Sequence, residues 1–124
     1  MGSLRIEPIA VHTDDRGSLH KVHPDAVTGE VYLVRARPGV SRGHHVHTSM
    51  GEWFTAISGE GMVVVEDPVT GKKEEASLND QRVYVPAGLA HALFNTGDCD
   101  LVVLACADAY HDPTDVHPHT VSRA

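Results

Sequence analysis

No stretch of these 124 residues approaches the ~20 consecutive apolar side chains that a membrane helix requires. The opening, MGSLRIEPIAVHTDDRG, has no basic head followed by an apolar core, so no secretory leader is read there and a cytoplasmic location is expected. Positive charge is scarce. Ten Lys and Arg stand against seventeen Asp and Glu, for a formal net charge of −7. That balance argues against electrostatic binding to nucleic acid or to an anionic membrane surface. A local arginine cluster can still hold a phosphorylated small molecule against the global sign. Cysteine is scarce too. Cys99 and Cys106 are too few for a disulfide framework and read as reduced thiols. No segment keeps a helical period, and no repeat, low-complexity tract or linker divides the chain. One domain over residues 1–124 is expected, a length suited to one core.

What recurs instead is the short β-type run, rich in Val, Ile, Leu and Tyr and split by Gly, Pro, Asn and Asp. LRIEPIAV, SLHKVH, EVYLVRA, HHVH, EWFTAIS, MVVVE, KEEASL, QRVYV, HALFN and LVVLACA all fit that description. Some ten short strands at this spacing predict an all-β barrel or a double-sheet jelly roll. An open sheet of so many strands would leave edges to protect. The polar tail DAYHDPTDVHPHTVSRA is expected to pack across the barrel or to reach a partner subunit.

Ten histidines stand out against this background, and three of them fall into a pattern with one glutamate. His45 and His47 form an H-x-H pair, Glu52 follows five residues later, and His91 lies in VPAGLAHALFN. Side chains alternate along a strand. His45 and His47 therefore share a face, roughly 6–7 Å apart at the backbone for a rise of ~3.3 Å per residue. Imidazoles so placed can lean onto one divalent ion, with Glu52 and His91 arriving from neighbouring strands. Three neutral imidazoles and a carboxylate suit a first-row transition metal such as Zn, Fe, Mn or Ni, and an octahedral ion would keep two positions free.

Both stretches resemble the two cupin motifs. Gly39, His45, His47, Glu52 and Gly59 fill G-x5-H-x-H-x4-E-x6-G, and Pro86, Gly88, His91 and Asn95 fill the second motif within residues 80–95. Its leading glycine is replaced by Asp80, itself a turn former. The resemblance implies a single-domain cupin, a double-stranded β-helix of the jelly-roll class, with a metal held by His45, His47, Glu52 and His91. The physics of the motif agrees: Gly39 and Gly59 supply turns that a Cβ would hinder. Pro86 and Gly88 bend the chain ahead of His91, and Asn95 can satisfy backbone groups near that bend.

Fold alone does not give function, but further segments narrow the choice. DDRGSLHKV resembles the D-x-RG-x-L segment of sugar-nucleotide cupins, among them the dTDP-keto-sugar 3,4-ketoisomerases and WxcM-like proteins. SRGHHVH is similar to the ketoisomerases' RGxHAH, and the tail's DP…D segment resembles the cupin domain of capsular-polysaccharide reductases. These likenesses imply an isomerase or epimerase of a keto-sugar nucleotide, moving a proton next to a carbonyl, in deoxysugar or polysaccharide biosynthesis. They imply that His45 and His47 exchange the proton, that Tyr32 sits near the sugar, and that Arg16 and Arg42 engage the pyrophosphate. Histidines that ligate a metal cannot also serve freely as bases, so Tyr32, Tyr84, His44 or His111 would then move the proton. His44 alternates away from His45 and is the weakest of these. Arg16 can equally cap its own turn, and Trp53 is expected in the core or at a subunit interface. A metal-dependent dioxygenase and a non-catalytic binding module remain as alternatives. A homodimer is expected, since pairing edge strands across subunits hides unpaired backbone groups.

Overall fold

Alternation sorts the side chains of each strand onto two faces, and the apolar faces decide how the sheets stack. The computed structural model describes residues 3–123; the ends of the expected 1–124 span lie outside the described residues. The strands are β1 (Arg5–Pro8), β2 (Ala10–Asp14), β3 (Gly17–Lys21), β4 (Val31–Ala36), β5 (Ser41–Val46) and β6 (Glu52–Ser58). They continue with β7 (Gly61–Glu66), β8 (Lys73–Ser77), β9 (Gln81–Val85), β10 (Ala90–Asn95), β11 (Leu101–Ala107) and β12 (His117–Pro118).

Two five-stranded antiparallel sheets form, in the orders β1-β9-β6-β11-β4 and β12-β5-β10-β7-β8. Their inner faces enclose one core, in which Val63, Leu78, Val83, Leu101 and Val103 are completely buried beside Phe54. This is the anticipated jelly-roll barrel. β6 and β11 coincide with EWFTAIS and LVVLACA. The run LRIEPIAV does not stay whole. β1 pairs with β9 as far as Pro8, the Ile9 amide donates to the Asp80 carbonyl, and β2 then leaves to pair with β3. The β2–β3 ribbon belongs to neither sheet, and all ten of its residues are exposed.

The tail does pack across its own barrel. A 3-10 turn at Pro113–Asp115 leads into β12, which pairs with β5, and Val121 is buried beside Val46 and Val64. Among the described residues no helix is long and apolar enough to cross a membrane.

Candidate metal centre

The site begins with a bulge. β5 and β10 pair antiparallel with His45 opposite His91, and the register shifts between His91 and Ala92. Gly43 takes φ +109° and His44 φ +57°, placing the extra residue on β5. A Cβ at Gly43 would stand 3.1 Å from the His91 carbonyl oxygen, so glycine suits both the dihedral and the space. His44 is turned away, as alternation predicts: its Nδ1 accepts from the Val121 amide at 3.1 Å, and its Nε2 lies 2.9 Å from Ser41 Oγ.

His45, His47 and His91 meet on the inner face. The ring centroids of His45 lie 4.6 Å from those of His47 and 4.7 Å from those of His91. One nitrogen from each ring falls within 4.8 Å of the others. Phe54 supports His91 from below, with ring centroids 5.4 Å apart. Glu52, the first residue of β6, joins through His47, whose Nε2 is 3.3 Å from Glu52 Oε1. Tyr32 on β4 donates its hydroxyl to Glu52 Oε2. Glu52 is 1% exposed, yet among the described residues its Oε1 and the Nδ1 of His91 find no hydrogen-bond partner.

The tautomer of His47 sharpens the point. Its Nδ1 lies 2.9 Å from the Asp115 carbonyl. A carbonyl only accepts, so Nδ1 carries a proton, and the neutral ring directs the Nε2 lone pair at a carboxylate. Two lone pairs facing each other in a buried site call for positive charge. A proton on His47 can supply it, and so can a metal ion. The pKa directions agree. Contact with Glu52 raises His47 above the ordinary imidazole value, against its burial. Burial alone would raise Glu52, but His47, His91 and Tyr32 outweigh it and hold it below the usual carboxylate value. Burial depresses His45 and carries His91 down to about 4. Three imidazoles, one carboxylate and two buried polar atoms without partners fit a divalent transition metal.

A cavity of about 290 Å³ opens over the histidines, lined by Glu30, Tyr32, His45, His47, Met50, Ala107, His111 and Val116. Burial and the neighbouring carboxylate push the Tyr32 phenol far up. Its hydroxyl is committed as a hydrogen-bond donor to Glu52.

Arg16 and Arg42 do not reach this cavity within the chain. Arg16 folds back onto Asp14 at the tip of the β2–β3 ribbon, with Nη2 2.6 Å from Oδ2, which is the turn-capping arrangement. Arg42 donates to the Arg35 carbonyl at 3.3 Å on an exposed face. Trp53 is not in the core. It lies on the outer face of its sheet with the Arg82 guanidinium 3.8 Å above its ring, because β6 alternates and Glu52 and Phe54 take the inner face. Tyr84 also faces outward, bonded to Asp108. Asp80, standing where the motif has glycine, adopts φ +62°, so the turn survives the replacement.

Glu30, Met50 and Asp115 escaped the sequence reading. Glu30 shares the parity of Tyr32 and could have been found by extending that alternation. Met50 sits in a loop and Asp115 in the tail, and no local period marks either.

Comparison with known proteins gives a consistent setting. The family model described as "Polysaccharide biosynthesis C-terminal domain" matches residues 12–120. A UDP-2-acetamido-2,6-beta-L-arabino-hexul-4-ose reductase of Pseudomonas aeruginosa is 31% identical over 107 residues. That match covers 84% of this chain but 29% of the reductase. The capsular polysaccharide assembling protein CapF of Staphylococcus aureus superposes with a TM-score of 0.71 at 27% identity, covering 92% of this chain and 35% of that one. A dTDP sugar isomerase of Desulfovibrio desulfuricans G20 superposes more closely, with a TM-score of 0.85 over 94% of this chain and 83% of that one. At 18% identity it speaks for the fold alone.

Proposed function

This chain belongs to the polysaccharide biosynthesis C-terminal domain family, and from that premise we propose that it is a metal-binding isomerase or epimerase of a keto-sugar nucleotide. The observation that carries the reading is the convergence of three imidazole nitrogens within 4.8 Å beside a buried carboxylate, under a cavity open to solvent. His45, His47, Glu52 and His91 would hold one divalent ion, Zn, Fe, Mn or Ni. Bound there, the ion would supply Lewis-acid stabilisation for an enolate oxygen.

The chain's own residues do the rest. The cavity is near the small end of ligand pockets and suits a sugar-sized group. Met50, Ala107 and Val116 supply its apolar lining. With the three histidines engaged as ligands, His111 at the rim is the imidazole left to take a proton from the carbon beside the keto group. Tyr32, which lines the same cavity, is the second group placed to exchange a proton with the sugar. The keto-sugar class is supported by the family and by the names of its relatives, whose substrates are their own.

We also read the chain as a homodimer. An isolated two-stranded ribbon is marginal in water, yet β2–β3 carries exposed Val11 and Leu19, and the adjacent sheet exposes Val31, Leu33 and Ile57. A second copy would cover both.

Isotope exchange tests the activity. Metal-loaded protein incubated in heavy water with UDP- or dTDP-4-keto sugars is expected to place deuterium on the carbon next to the carbonyl, read by mass spectrometry. A protein that binds metal but exchanges no keto-sugar nucleotide overturns the isomerase reading.

A further inference from the structure

We propose that Asp115 is a positioning residue for His47: its carboxylate locks the C-terminal tail onto the turn after the ligand, so that its carbonyl fixes the ring's tautomer. The proposal rests on the metal-centre reading for its consequence, not for its geometry.

Asp115 is 7% exposed, although it sits in a polar tail. Its two carboxylate oxygens meet four donors from two consecutive residues. Oδ1 accepts from the Thr48 amide at 2.9 Å and the Thr48 hydroxyl at 2.5 Å. Oδ2 accepts from the Ser49 amide at 3.0 Å and the Ser49 hydroxyl at 2.6 Å. His117 Nε2 lies 3.4 Å from Oδ1. The amide of Asp115 donates to the Asp112 carbonyl at 2.9 Å, closing the 3-10 turn. One tail residue thus grips 47, 48 and 49 in succession, the first through its carbonyl and the others through its carboxylate.

The division of labour follows from chemistry. A ring nitrogen of a metal-binding histidine is commonly held by a second partner that sets which nitrogen faces the ion. A carbonyl can do this only if it is itself immobile, and a free tail would not keep it so. Short charge-assisted bonds to both sides of the carboxylate provide the immobility. His47 is held from the other direction as well, since its own carbonyl accepts from the Gly88 amide at 2.8 Å. The result is a ring with Nδ1–H spoken for and Nε2 aimed at Glu52 Oε1. Aspartate is specifically suited: asparagine would set an NH2 against two donors.

The test uses the full chain as wild type, Asp115→Asn, and the double variant Thr48→Ala/Ser49→Ala, which keeps Asp115 but removes two of its four donors. Ring-nitrogen NMR of the metal-free protein, at a pH well above the imidazole range, is expected to show His47 as the Nδ1–H tautomer in wild type. Asp115→Asn should populate Nε2–H at His47 while leaving His91 unchanged. Zinc affinity, by competition with a chromophoric chelator, should fall about 10–100-fold in Asp115→Asn and less, in the same direction, in the double variant. Thermal melts confirm that each variant is folded under assay conditions. If Asp115→Asn does not fold, the double variant decides. A folded variant with the wild-type tautomer and an affinity within about two-fold of wild type overturns the proposal. If wild type binds no zinc, the metal reading fails, while the tautomer measurement still decides the role of Asp115.

Discussion

Glu52→Gln should make the metal-free protein more stable and the metal-bound protein less so. In the native site Oε2 takes the Tyr32 hydroxyl, and Oε1 faces His47 Nε2 at 3.3 Å without a hydrogen bond. Glutamine keeps the volume, keeps an oxygen for Tyr32, and offers an amide N–H to the Nε2 lone pair. A buried acceptor left unmatched costs about 1–3 kcal/mol, and more when charged. The metal-free variant should therefore gain about 1–3 kcal/mol above the imidazole range, on the order of 4 °C in Tm per kcal/mol. The sign depends on pH. His47 has a raised pKa in the folded state, so its contribution is complete below the unfolded value of about 6.5 and is lost as pH rises through the folded value. Glu52 has a lowered pKa, so its contribution is present above about 4.3 and is lost as pH falls through the folded value. The native pair is strongest between those limits, where the advantage of glutamine should shrink or invert. Metal reverses the ranking again: a ligand at a hundredfold excess over its Kd stabilises the folded state by about 2.7 kcal/mol, and the neutral amide forfeits much of that. Urea denaturation with chelator, with zinc, and across pH reads all three effects. A metal-free variant less stable than wild type at alkaline pH would refute the reasoning, as would equal stabilisation of both proteins by zinc.

Two further outcomes follow from packing. Gly51→Ala puts a Cβ 1.9 Å from the Tyr84 hydroxyl oxygen and must displace Tyr84 from Asp108; a loss of about 1–3 kcal/mol is expected, measured by urea denaturation. Leu33→Glu places a charge on the exposed apolar face of β4, where Leu33 is 60% exposed; light scattering should show a dimer for wild type and a monomer for the variant, and a wild-type monomer removes the dimer.

The histidine site was legible because its geometry is local twice over. Alternation in β5 puts His45 and His47 on one side; His91 comes from β10, the paired neighbour of β5, and Glu52 from β6 in the opposite sheet. The bulge at Gly43 and His44 was not legible from alternation alone. It leaves the face of His45 as read from the strand, but it needs the cross-strand register with Ala92 to be seen. Arg16 and Arg42 have residue types that suit phosphate; within the chain Arg16, in the β2–β3 turn, bonds Asp14, and Arg42, on β5, bonds the Arg35 carbonyl.

Asp115 lies furthest from any sequence signal, and the reason is topological. It meets His47 across 68 residues and Thr48 across 67, a separation over which no period extends. The tail follows β11, a strand of the one sheet, and pairs through β12 with β5 of the other, so its place depends on how the two sheets stack rather than on its own composition. A polar segment with three histidines, one proline turn and several acids reads like a solvated end. Yet Asp115 and Val121 are buried, and the Asp115 carbonyl meets His47. The paired histidines can thus be recognised from a strand period, whereas the residue that meets His47 lies 68 positions away on an element packed across the other side of β5.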